Sequence, residues 1–176
     1  MIFFVRHGEP DFSAANTGIY QGFGVHLSGL TKNGIRQIEM LADHIFLKDC
    51  RMILSSPYTR ALQSAAILSR LFRAEIVVEP LLHEWLADKD TYLPDAEAGQ
   101  AYKAYRENNG CYPEGVSCNW ESVDDLRARV ASVLSRYPDE ENLIVVCHGM
   151  LIESVTGIHP ECGEFIGIER SDLYLC

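Results

Sequence analysis

Four short stretches of this chain are apolar without interruption: Ile2-Phe-Phe-Val5, Met52-Ile-Leu54, Ile76-Val-Val78 and Leu143-Ile-Val-Val146. Runs of this kind, with no polar alternation, suit strands of a parallel sheet that helices bury on both faces. Amphipathic segments of helical period lie between them. Thr31 is placed to cap a helix that carries Ile35, Ile38, Leu41, Ala42 and Ile45 on one face. Ser56 as a cap, with Pro57 at the first helical position, introduces a second helix striped by Ala61, Ala65, Leu68 and Phe72. Ser122 and Asp125 have capping-box spacing ahead of Leu126, Val130, Val133 and Tyr137. Asp172-Leu-Tyr-Leu-Cys176 alternates enough to form a last strand. The pattern predicts an α/β fold, a three-layer α/β/α arrangement around a mostly parallel central sheet.

The rhythm breaks between about Ala87 and Asp125, where helical fragments, aromatics (Tyr92, Tyr102, Tyr105, Tyr112, Trp120) and turn residues occur without a clear strand. With 176 residues in all, the chain suits one domain spanning 1–176. The segment from about 87 to 121 then reads as a small helical insertion over the C-terminal ends of the strands, covering the site.

The longest apolar runs, Met1 to Val5 and Leu143 to Cys147, are far too short for a membrane span or a signal-peptide core. The formal charge of −10 repels nucleic-acid phosphates and anionic lipid, so neither nucleic acid nor membrane is an expected partner. Cys50, Cys111, Cys118, Cys147, Cys162 and Cys176 include no Cys-x-x-Cys pair and no zinc spacing with His. They read as reduced thiols of a cytoplasmic protein without a metal or other cofactor. Oligomeric state is left open. Among the basic residues 11 are Arg and 4 are Lys, a bias toward the side chain that grips oxyanions with a planar fork.

Ligands of open α/β sheets bind beyond the carboxyl ends of the strands. Arg6-His7-Gly8 follows the first run, Ser55-Ser-Pro57 and a helix bearing Arg60 follow the second, His83-Glu84 follows the third, and His148-Gly149 follows the fourth. Singly, each has an ordinary reading: a strand-exit turn with Gly8 at positive φ, a solvated helix charge, a strand cap, a surface acid. Together they bring two arginines, two or three histidines and a carboxylate to one sheet edge, which is the composition of an anion site with acid–base groups. The helix opening at Ser56 would add its free amides and positive dipole end. A neutral imidazole can also attack phosphorus. His26, His44 and His159 read as ordinary surface or core histidines.

Val5-Arg-His-Gly-Glu9, Leu30-Thr-Lys-Asn-Gly-Ile-Arg-Gln37, Ser55-Ser-Pro-Tyr-Thr-Arg-Ala-Leu-Gln-Ser-Ala65, Leu82-His-Glu84 and Val146-Cys-His-Gly149 resemble the histidine phosphatase superfamily, the phosphoglycerate-mutase-like group, in order and over most of the chain. The resemblance implies a metal-independent phosphomonoester hydrolase in which His7 becomes phosphorylated and Glu84 is the proton donor. Arg6, Arg60, a protonated His148 and Gly149 would hold the phosphoryl group, the second nitrogen of His7 donating to a backbone carbonyl. Phosphoglycerate-mutase-type transfer and a non-catalytic phosphate-binding module are the alternatives. Where the family has Thr-x-Trp-Asn the chain reads Pro10-Asp-Phe-Ser13, so that phosphate contact falls to Ser13, or to Asn16 if the loop shifts, with Gln21 beside it. The stretch from Ala87 to Asp125 holds nine acids against three bases. It favours a small-molecule ester whose leaving group is neutral, aromatic or cationic, stacked among Tyr92, Tyr102, Tyr105 or Trp120.

Overall fold

The computed structural model describes residues 1–175. Its sheet has five strands, β1 (Ile2–Arg6), β2 (Met52–Ser55), β3 (Glu75–Val78), β4 (Leu143–Cys147) and β5 (Phe165–Ile168), in the order β3-β2-β4-β1-β5. The first four are mutually parallel and β5 runs antiparallel to β1 at the edge. Helices α1 (Lys32–Glu39) and α2 (Thr59–Phe72) cover one face. Ile38, Ala61, Ala65, Leu68 and Phe72 pack there against Phe3, Val5, Ile53, Ile144 and Val146. Helices α4 (Val123–Leu134) and α5 (Gly149–Thr156) cover the other, where Leu126, Val130, Val133, Leu151 and Val155 meet Ile2, Phe4, Leu54, Leu143 and Val145. Apolar residues alternate between the two cores along each strand, so the uninterrupted runs reflect burial on both sides. Among the described residues no helix is long and apolar enough to cross a membrane.

Three local expectations change. The expected strand over Asp172 to Cys176 does not form in the described residues 172–175: Arg170–Asp172 is a 3-10 turn, and Cys176 lies outside the described residues. The edge is instead Phe165-Ile-Gly-Ile168, masked in the sequence by Gly167, whose missing side chain makes room for the Phe3 ring. Helix α2 begins at Thr59 with Tyr58 at its N-cap, because the Ser56 hydroxyl is engaged by a histidine and by the Tyr58 amide. Helix α1 stops after Glu39 and continues as 3-10 turns, which leaves Ile45 exposed; Ile35, within α1, is exposed as well. The Thr31 cap and the Ser122–Asp125 capping box form as expected.

Between residues 87 and 125 lies α3 (Asp95–Glu107) and no strand. Its Tyr105, with Trp120, is buried in the core shared with α4 and α5. These two rings therefore support the fold and do not face a ligand, contrary to expectation.

The loop after β1 is clamped onto α1 at backbone contact. A Cβ on Gly8 would lie 2.3 Å from the Gly34 carbonyl oxygen, and one on Gly34 would lie 2.3 Å from the Glu9 carbonyl oxygen. Close approach, rather than a positive φ, requires Gly8. The Glu9 amide donates to Gln37 Oε1 at 2.8 Å, and the Thr31 hydroxyl donates to Glu9 Oε2 at 2.5 Å. Gly34→Ala should therefore destabilise the protein by roughly 1–3 kcal/mol despite alanine's better helix propensity. Gly99→Ala, in α3 with open space around its Cα, should stabilise it by about 0.5–1 kcal/mol. Urea unfolding of the two variants measures this, and equal midpoints would refute the clamp.

Candidate active site

Parallel register sets the strand ends flush. Arg6 pairs with Cys147 across β1 and β4, while Val146 pairs with both Val5 and Ser55. The next residue of each strand exit, His7, His148 and Ser56, thus emerges in one row. The His7 and His148 rings sit edge to face with centroids 5.1 Å apart. Arg60, on the first turn of α2, reaches over this row although only 4% of its surface is exposed.

The Arg60 guanidinium is ringed by imidazoles. Its Nε donates to His7 Nε2 at 3.1 Å, one terminal nitrogen faces His26 Nδ1 at 3.3 Å, and the other faces His148 Nδ1 at 3.4 Å. A guanidinium only donates, so each of these nitrogens must be a bare lone pair. The other nitrogen of two rings agrees: His7 Nδ1–H donates to the Gly8 carbonyl at 2.8 Å, and His148 Nε2–H donates to the Ser56 hydroxyl at 2.8 Å. Arg60 also lies over the Tyr58 ring at 5.0 Å and the Phe12 ring at 5.7 Å. Among the described residues no carboxylate forms an ion pair with Arg60 or Arg6.

These surroundings set the protonation states. Burial, reinforced by the Arg60 and Arg6 charges and opposed by the Gly8 hydrogen bond, lowers His7 to about 3. Burial and then Arg60 lower His26 to about 4 and hold His148 well below the ordinary histidine value. His148 is therefore neutral as it stands, with no dianion present; a dianion placed beside it would reverse that balance. Glu84 moves the opposite way: burial raises its pKa against the Trp85 amide and the charges of Arg60, Arg6 and Arg129. Its Oε2 lies 3.9 Å from His148 Nδ1 and its Oε1 accepts the Trp85 amide at 2.8 Å.

The segment bearing Glu84 is pinned by a buried ion pair. Arg129 on α4 binds both oxygens of Glu121 and donates to the Leu81 and His83 carbonyls. Glu121 in turn accepts the Leu86 amide through its carboxylate and the Trp85 indole through its backbone carbonyl. Arg6 leaves β1 with one terminal nitrogen on the Pro160 carbonyl at 2.8 Å and a buried Nε that has no partner. Gly149 opens α5 beside it, and a Cβ there would lie 3.3 Å from Arg6 Cζ.

The structure thus brings Arg6, His7, Arg60, Glu84, His148 and Gly149 together. It does not bring in Ser13 or Gln21, which are exposed and make no hydrogen bond or ion pair with that group; Ser13 is tied to Asp11, and Asn16 is an exposed residue at φ 64°. Their expected place against Arg60 is taken by Phe12 and by His26, which stacks on Tyr58 with centroids 3.8 Å apart. His26 and Tyr58 are missed by sequence reasoning. Tyr58 carried a signal, two residues before Arg60 in the same strand exit, whereas His26 sits on a 3-10 turn with no periodicity to orient it. Beyond His26 a cavity of about 190 Å³ is lined by Phe23, Trp85, Leu86, Tyr92, Asp88 and Asp95, among others.

Comparison with known proteins bears on this arrangement. The model of the histidine phosphatase superfamily (branch 1) matches residues 2–159. A curated relative from Proteus mirabilis (strain HI4320), named "Probable phosphoglycerate mutase GpmB", is 26% identical over 166 residues, covering 89% of this chain and 75% of its own. The solved structure of a mycobacterial glucosyl-3-phosphoglycerate phosphatase with VO3 superposes with a TM-score of 0.61 at 25% identity, covering 87% of this chain and 77% of that one. The alpha-ribazole phosphatase from Shigella flexneri shares the fold, with a TM-score of 0.63 over 99% of this chain and 94% of its own at 21% identity.

The depressed histidines make folding pH-dependent. The unfolded chain takes up protons near pH 6.5 that the folded site refuses, so this stability is complete above 6.5 and is lost as the pH falls toward the folded values. From its value of about 3, His7 alone should cost about 2 kcal/mol at pH 5. Glu84 acts in the opposite sense, so the effect is cleanest in Glu84→Gln. Urea midpoints at pH 7 and pH 5 should differ in that variant, and the difference should shrink by the share of His7 when His7→Gln is added while His26 and His148 retain the rest; equal midpoints without it would contradict the assignment.

Proposed function

The chain belongs to the histidine phosphatase superfamily, and from that membership we propose that it is a metal-independent phosphomonoester hydrolase working through a phosphohistidine on His7. One observation carries the reading: a buried guanidinium, Arg60, faces three neutral imidazole nitrogens and no carboxylate, with Arg6 nearby and equally without an acid partner. A buried cation that lacks a counterion is costly, and a dianionic phosphoryl group supplies one. The mycobacterial relative solved with VO3 supports this, vanadate being a phosphate-like oxyanion.

The chemistry follows from the groups in place. Arg60 covers the His7 lone pair through its Nε, so the arriving phosphoryl oxygens must draw that guanidinium, together with Arg6, His148 and the Gly149 amide, onto themselves. His7 Nε2, freed and held in its tautomer by Gly8, then attacks phosphorus as the ester P–O bond breaks. Glu84, whose pKa burial raises, delivers its proton to the departing alkoxide. The resulting carboxylate takes a proton from water as that water attacks phosphorus, the P–N bond breaks, and His7 regains its lone pair.

Hydrolysis is favoured over transfer between phosphoglycerates because Asp88 and Asp95 line the adjoining cavity, where a second phosphate or a carboxylate would be repelled. The proposed substrates are small-molecule phosphate esters with a neutral, aromatic or cationic leaving group resting against Phe23 and Tyr92. A cytoplasmic setting and one domain spanning 1–176 belong to the same proposal.

Hydrolysis of p-nitrophenyl phosphate should persist in EDTA, and an alkaline denaturing quench during turnover of a radiolabelled ester should trap an acid-labile label on wild type but not on His7→Ala. Arg60→Ala should reduce kcat/KM by roughly 10²–10³, the usual result of removing a transition-state donor. With an alkyl phosphate, activity should fall as pH rises through the elevated Glu84 pKa, and Glu84→Gln should lose roughly 10²–10⁴ in rate together with that alkaline limb. Turnover that vanishes in EDTA, or label that survives His7→Ala, would overturn the mechanism.

A further inference from the structure

Arg6 is the end of a chain of polar contacts that reaches the helix of the 87–125 segment. Arg106 on α3 donates to both oxygens of Glu153 on α5, each at 2.8 Å. Glu153 Oε2 lies 2.8 Å from His159 Nδ1, and His159 Nε2 lies 3.2 Å from a terminal nitrogen of Arg6. The directions agree at every link. A carboxylate already paired with a guanidinium accepts from Nδ1–H, that tautomer leaves Nε2 bare, and a bare Nε2 can accept from Arg6. His159 is only partly covered, so Glu153 rather than packing holds its ring.

Gly149 makes the arrangement sterically possible. A Cβ at this position would lie 2.6 Å from both Cε1 and Nε2 of the His159 ring. The glycine following His148 therefore admits the His159 imidazole beside Arg6.

We infer that His159, oriented by Glu153 and Arg106, is a positioning residue that aims the Arg6 guanidinium at the phosphoryl group. This inference rests on the phosphatase reading, and it adds a residue that touches neither phosphorus nor the leaving group. His159 acts through Arg6 alone, sharing the same terminal nitrogen with the Pro160 carbonyl. Its loss should consequently loosen Arg6 without releasing it.

The test is a double-mutant cycle on the full chain, read by calorimetric binding of inorganic phosphate and by kcat and KM for p-nitrophenyl phosphate. His159→Leu fills the space of the ring but offers no acceptor; it should weaken phosphate binding and lower kcat/KM by about five-fold, the scale of one net hydrogen bond. His159→Gln, whose amide oxygen can accept from Arg6, should recover most of that loss. On an Arg6→Ala background His159→Leu should change neither quantity by more than about two-fold. The same five-fold loss on that background, or no loss in the single variant, would overturn the proposal. If His159→Leu does not fold, His159→Ala takes its place in the cycle. Coupled phosphate binding in a wild type that neither hydrolyses esters nor labels His7 would sink the phosphatase reading and leave the positioning role standing; active, labelled wild type with additive effects would do the reverse.

Discussion

The arrangement depends on one electrostatic constraint, a guanidinium buried where no acid neutralises it. Arg60 is held by lone pairs instead of charges, and those lone pairs exist only because burial and the arginines keep three imidazoles unprotonated. The dependence is mutual. Neutral rings let the cation remain in place, and the cation forbids the rings a proton. Such a cluster has a large unspent affinity for a dianion, and it leaves the His7 ring chemically competent as a nucleophile. Glu84, close to the same positive charges, still has a raised pKa because burial outweighs them, so the same burial pushes the imidazoles and the carboxyl alike toward their uncharged forms.

Precision at this cluster comes from the sheet. In a parallel array the residue after each strand leaves in the same direction, so register alone sets His148 between His7 on one side and Ser56 on the other. The glycines then bring the remaining backbone close. Gly8 and Gly34 lock the first strand exit against α1, and Gly149 leaves space next to Arg6. The segment Leu30 to Gln37 is explained by the same contacts, since Thr31, Gly34 and Gln37 all engage Glu9 or its neighbour.

Much of this was legible because the signals are local. Uninterrupted apolar runs identify the four parallel strands, and strand exits identify Arg6, His7, Arg60, Glu84 and His148. What was not legible depends on contacts between distant segments. Phe165–Ile168 has the length and glycine content of a turn and becomes a strand only because β1 offers an open edge. His26 enters the site through a loop whose path no periodicity encodes. Ser13 and Gln21 were placed by resemblance in that same loop, where the chain departs most from the family's pattern, and the loop carries them into solvent. Tyr105 and Trp120 were misread for a related reason: an aromatic in an irregular segment looks the same in sequence whether it faces a ligand or the core.

The 87–125 segment is consequently more than a cover. It lines the cavity beside His26 through Tyr92, Asp88 and Asp95, it buries Tyr105 and Trp120 against the sheet, and through Arg106 it grips Glu153 and hence His159. Glu121, at its C-terminal end, joins Arg129 to fix the backbone on either side of Glu84. One stretch of chain therefore lines the cavity beside His26, holds His159 next to Arg6 and fixes the backbone around Glu84. Substitutions there act on all three at once, so the shape of that cavity and the placement of Arg6 and Glu84 are coupled and their effects should not add independently.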